Sequence, residues 1–84
     1  MTRQRKLLQK ALANPASLRF KELCTLAGQL GFVLDRTRSS HFIFKHDGLR
    51  RPLNFQDVDG NAKPFQVKQL LHAARELNLI DEER

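Results

Sequence analysis

The sequence predicts an α+β fold: a three-stranded antiparallel sheet with two helices on one face, preceded by an additional helix. Three observations predict it. Apolar residues recur at helical spacing from Phe20 to Leu30 and again from Val67 to Leu77, and the segment between them, "FVLDRTRSSHFIFKHDGLRRPLNF", reads as strands separated by turns. Two helices flanking a run of short antiparallel strands bury their stripes against one face of the sheet, which makes a two-layer sandwich. A chain of 84 residues supports one modest core, so residues 1–84 are read as a single domain.

The elements follow in chain order. Leu7, Leu8, Ala11 and Leu12 share one face of a helix over residues 3–13. Asn14-Pro15 ends it, because a residue before proline avoids the α region. The next helix opens at Pro15 or Ser17, with Asn14 or Ser17 as its cap, and carries Phe20, Leu23, Ala27 and Leu30 as its stripe. Gly31 suits the left-handed position just past its end. "FVLDR" then sets Phe32 and Leu34 on one side and Val33 and Asp35 on the other, and "TRSS" (37–40) is a turn. In "HFIFKH", Phe42 and Phe44 face one way and His41, Ile43 and Lys45 the other; with the phenylalanines on the helices, His41 is presented to solvent. Asp47-Gly48 predicts a type I′ hairpin into a third strand, "LRRPLNF", which Pro52 confines to an edge or breaks. A polar loop, "QDVDGNAK", leads to a last helix from Pro64 to about Leu79, with Val67, Leu70, Leu71, Ala74 and Leu77 as its stripe.

Charge narrows the function. The net charge is +6, and four acids, Glu76, Asp81, Glu82 and Glu83, cluster at the C-terminus. Residues 1–75 therefore hold 14 basic and 5 acidic side chains, a body of +9 that suits an anionic partner, phosphate above all. No apolar run approaches the ~20 residues of a membrane span, and "LLQKALA" is too short and too interrupted for a signal peptide, so a cytoplasmic location is expected. Cys24, the only cysteine, cannot form an internal disulfide and is expected to be a buried, inert thiol.

Metal chemistry and hydrolase chemistry find little support. His41 and His46 stand an odd number of residues apart and point to opposite faces of a strand, while His72 is expected to pack at the edge of the last helix. "DVDGN" departs from a calcium loop, since its glycine comes early and Lys68 stands where the closing glutamate belongs. No metal and no cofactor are expected. Ser39 and Ser40 adjoin His41 without a glycine-flanked nucleophile elbow and read as turn residues. RNA differs, because it carries its own nucleophile, the 2′-hydroxyl beside each phosphate. Cleaving it requires a general base with a pKa near ~6.5, as histidine has, and cations around the transition state. Arg36, Arg38, Lys45, Arg50 and Arg51 are candidate cations, and Lys63 at the mouth of the last helix is another. On spacing alone, a general base and an ordinary surface histidine both remain open.

"FKELCTLAGQLGFVLDRTRSSHFIFKHDG" resembles the core of the HicA toxin family, also called YcfA-like. Its members run from a helix into "GF", a strand, an Arg-rich turn, and Gly-Ser-His-His followed by a strand. Lys63-Pro64 and "FQVKQLL" resemble the start of the family's last helix. The resemblance covers residues 20 to about 79, so that 18–79 form the core and 3–13 an extension seen in longer members. It implies the α-β-β-β-α fold of a double-stranded-RNA-binding domain. It also implies an mRNA interferase of a type II toxin–antitoxin system, a metal-independent endoribonuclease paired with a HicB-like antitoxin that covers the active site. The family's catalytic histidine falls on His41 and its motif serine on Ser40. Arg36, Arg38, Ser39, Ser40, Lys45 and Lys63 are expected to contact RNA. Two positions depart from the motif: Ser39 stands in place of its glycine and Phe42 in place of its second histidine. If the turn requires positive φ at position 39, serine strains it. Two further readings therefore stand beside the enzyme, a diverged non-catalytic RNA-binding module of the same fold and a protein-interaction domain with an acidic partner. The N-terminal helix is left to cap the core, to dimerise, or to meet RNA through Arg3, Arg5 and Lys6.

Overall fold

A computed structural model describes residues 3–80, with side chains from Lys6 onward. The side chains of Arg3 and Arg5, and the acids Asp81, Glu82 and Glu83, lie outside the described residues. The order is α1 (Arg3–Ala13), a 3₁₀ turn (Pro15–Ser17), α2 (Phe20–Gln29), β1 (Val33–Arg38), β2 (His41–Lys45), β3 (Leu53–Gln56) and α3 (Pro64–Glu76). The strands form one antiparallel meander in the order β1-β2-β3. Phe20, Leu23, Leu26 and Ala27 of α2 and Val67, Leu70, Leu71 and Ala74 of α3 are buried in one cluster with Phe44 and Phe55 of the sheet. From α2 to α3 this is the α-β-β-β-α arrangement of a double-stranded-RNA-binding domain, with α1 added through Ala11, which is also fully buried.

The helix starts differ from expectation at one point. The α-helix proper begins at Phe20, not at Pro15 or Ser17. Asn14 caps only the 3₁₀ turn, its Oδ1 accepting the Ala16 N–H at 3.1 Å. Leu18 and Arg19 are extended, which turns the Leu18 side chain into the core. The Glu22 carboxylate then accepts the Arg19 N–H at 2.9 Å and closes the first turn of α2. The same carboxylate meets Lys10 of α1 at 2.9 Å; the backbone N–H first and the lysine second hold its pKa below the usual carboxylate value. Gly31 takes φ +101° past the end of α2, as its position predicts. Helix α3 ends at Glu76 rather than near Leu79, because Asn78 adopts φ +59° and reverses the chain.

The strands sort the central residues as alternation requires. Phe44 is buried, and Phe42 sets its ring edge-on to Phe20 of α2 with centroids 5.0 Å apart. Two connections depart from expectation. Strand β1 continues through Arg38, so the first turn is Ser39-Ser40 alone, and Ser39 takes φ +54°. Asp47-Gly48 does not form a two-residue hairpin. Leu49 N–H donates to the His46 carbonyl at 2.9 Å, the loop runs through residue 52, and β3 begins only past Pro52. Gly48 answers to packing instead: a Cβ there would stand 2.6 Å from Leu77 Cδ2.

At the far end of β3, Asp57 N–H donates to the Ser40 carbonyl at 2.9 Å, which makes His41–Gln56 a non-hydrogen-bonded pair. The Gln56 N–H therefore points off the sheet edge, where Gln66 Oε1 accepts it at 3.1 Å from a side chain only 3% exposed. Gln66→Met, which keeps the volume and removes the acceptor, should destabilise the fold by about 1–3 kcal/mol in urea unfolding, while Gln69→Met on the exposed side of α3 should be near neutral. Ser39→Gly relieves a left-handed backbone and should stabilise by about 0.5–1 kcal/mol in the same measurement.

Candidate functional site

The open face of the sheet is built by register. Strand β2 presents His41, Ile43 and Lys45 there, and β3 presents Asn54 opposite Ile43 and Gln56 opposite His41. Strand β1 reaches that face only through an irregularity. Leu34 pairs with Phe44, but the register then shifts, Asp35 is left without an opposite residue, and Arg36 pairs with Ile43 and Arg38 with His41. Simple alternation from Leu34 would have turned both arginines toward the helices. The bulge moves them to the side of His41.

Charge on this face is uneven. Asp35 lies 3.5 Å from Lys45 Nζ and 3.8 Å from Arg36 Nε, so these two cations are partly balanced. Arg38 is exposed and has no ion pair among the described residues. Its opposite neighbour is His41, half-buried, with Nδ1 3.0 Å from Oδ1 of Asn54. The imidazole is thus held by an amide from β3, while the residue opposite it on β1 is an arginine. This arrangement can exchange a proton and balance an adjacent anion.

Of the other predicted residues, Ser39 and Ser40 form the turn leading into His41, and the Ser40 carbonyl is tied to Asp57. Lys63 is exposed and precedes α3, whose first turn is attached to the sheet through Gln66 and Gln56, the residue opposite His41. The helix start therefore lies at the His41 end of the sheet, behind it, with exposed Phe65 beside Lys63. Arg50 and Arg51 belong to the loop entering β3 at the opposite end, away from His41. Phe42 faces the helices, so the exchange of a motif histidine at that position takes nothing from the open face.

The remaining candidates are structural. His46 packs its ring on Phe32 with centroids 5.2 Å apart and accepts the Gly48 N–H at Nδ1. His72 does not pack at the edge of α3 as expected; it is exposed, 3.4 Å from Glu76 one turn on. Cys24 is half-buried, and burial foremost pushes its thiol up to about 11, which suits an inert thiol. Among the described residues no three His, Cys, Asp or Glu gather as metal ligands, and no helix is long and apolar enough to cross a membrane. Sequence reading missed Asn54, Asp35 and Gln66. Asn54 would have emerged from the β2–β3 register, which sets it diagonal to His41, and the other two carry no local signal.

Residues 20–75 match a family described as the HicA toxin of bacterial toxin–antitoxin systems. Neither a curated protein nor a solved structure matches the chain. The matched stretch begins with α2 and ends in the last turn of α3, so it contains the whole sheet, the serine turn, His41, Asn54 and Lys63, and leaves α1 outside. With the sheet and its two helices in the order the family resemblance implies, the chain belongs to the HicA toxin family, the toxins of bacterial toxin–antitoxin systems.

Proposed function

We propose that this toxin is a metal-independent endoribonuclease acting on mRNA in the cytoplasm, with His41 as general base. The observation that carries the reading is His41 on an open basic face, with Arg38 directly opposite. In the proposed step His41 takes the proton of a ribose 2′-hydroxyl, and the resulting oxygen attacks the adjacent phosphorus. The 5′-oxygen bond breaks, the leaving oxygen takes a proton from solvent, and a 2′,3′-cyclic phosphate remains. Arg38 stands where charge gathers on the non-bridging oxygens. Arg36 and Lys45 extend phosphate contact along the sheet, and Ser39, Ser40 and Lys63 extend it around the His41 end. The nucleophile belongs to the substrate, so the step calls for no metal-bound water.

An antitoxin of the HicB type is the partner this reading assigns, its acidic surface covering the same face. The second reading, an RNA-binding module that does not cut, is favoured by one observation: Ser39 occupies a positive-φ position where the family motif has glycine.

A labelled single-stranded RNA in EDTA decides between them. Wild type should cut it and His41→Ala should be slower by ~10²–10⁴ while remaining folded; equal cutting by both proteins removes His41 from the chemistry, and binding without cutting favours the module. Arg38→Ala should weaken RNA binding and lower the salt slope by about one, whereas Asp35→Asn, which frees Arg36 and Lys45, should tighten binding roughly two- to fivefold at low salt. Titrations at several salt concentrations test both.

A further inference from the structure

We infer that Asn54 is the positioning residue of His41, fixing its imidazole as the tautomer with the proton on Nδ1 and a lone pair on Nε2. This deepens the proposal above and rests on His41 being the base.

The placement follows from register. Ile43 stands opposite Asn54 and His41 opposite Gln56, so Asn54 is the diagonal neighbour of His41 on the open face. Diagonal neighbours lie ~7–8 Å apart, their Cβ atoms somewhat closer, a span that an imidazole and a carboxamide fill together. They meet with Nδ1 and Oδ1 at 3.0 Å. An amide oxygen only accepts, so the nitrogen it holds must carry the hydrogen, and in a neutral ring the other nitrogen is then the base. A free neutral histidine favours the opposite tautomer, with the hydrogen on Nε2, which offers no lone pair there.

The chemistry of the partner also matters. A carboxylate at position 54 would orient the ring equally well but would stabilise imidazolium and push its pKa up. An uncharged amide orients without holding the proton. Among the described residues, the other groups facing His41 do not supply a carboxylate. Arg38 lies across β1, Gln56 across β3, and Ile43 and Lys45 follow along β2. Asp35 is engaged with Lys45 and Arg36, and Asp57 accepts the Gly60 N–H at 2.8 Å. Among the described residues, Asn54 is the only side chain with a hydrogen bond to the ring.

The test is ¹⁵N NMR of the His41 ring in the wild type, Asn54→Leu and Asn54→Asp proteins, beside pH profiles of RNA cleavage. The wild type should show the Nδ1–H form. Asn54→Leu should shift it to Nε2–H and lower kcat roughly three- to tenfold with KM little changed, the weight of one net hydrogen bond. Asn54→Asp should restore Nδ1–H and raise the pH at which the acid limb of kcat falls, by up to about one unit, because a raised pKa protonates the base earlier as pH drops. A wild-type ring in the Nε2–H form, or a leucine variant that keeps both tautomer and rate, would overturn the inference. Failure of the functional reading would show elsewhere, in the cleavage comparison of wild type with His41→Ala, whereas the tautomer is read from the folded protein alone.

Discussion

The extra residue at Asp35 decides which side of the sheet carries charge. Strand β1 begins apolar and ends basic, and a strand with uninterrupted alternation would put Leu34, Arg36 and Arg38 on one face. Leu34 belongs above Phe44 on the helix side. The two guanidinium groups beyond it would then have shared the side of Leu34 and the phenylalanines, away from His41. One unpaired residue resolves the conflict by rotating the second half of the strand. The basic face, the neighbour of His41 and the short serine turn all follow from that step, and Asp35 itself bridges two of the cations it redirected.

The apolar stripes of the helices were legible because they are long, and so were the two helix ends that Gly31 and Pro64 mark. Gly31 and Pro64 stand where the sequence puts them, and the apolar sets of α2 and α3 are buried. Departures arose where a tertiary demand outweighed a local signal. Pro15 did start a helical turn, but Leu18 was needed in the core and broke it there. Asp47-Gly48 has the composition of a tight hairpin, yet the close approach of Leu77 and the hydrogen bond to His46 fixed another turn. His41 itself could be placed on the open face from period-two alternation. The residues that complete its surroundings could not, because a bulge and a diagonal contact are properties of two strands together.

The boundary of the family match and that of the hydrophobic core do not coincide. Ala11 and Leu18 are as deeply buried as Leu23 or Val67, though both precede residue 20. Helix α1 is therefore part of the packing as well as an extension. Its exposed link to α2 through Lys10 and Glu22 adds little by itself, since ion pairs in water contribute a fraction of a kcal/mol or about 1 at most. What attaches α1 is the apolar contact beneath that pair, made by Ala11 with Leu7 and Leu8 at its margin.

The open face shares almost no atoms with that packing. Its residues are held by backbone pairing and by contacts among themselves, such as His41 with Asn54 and Asp35 with Lys45. Drift in the two layers can thus proceed separately. A lineage under pressure to change what this face meets can rewrite Arg36, Arg38, Lys45 and even Asn54 with little effect on foldedness, whereas Phe44 and Phe55 admit few replacements. A fold so divided is well suited to an arms race between a poison and its antidote.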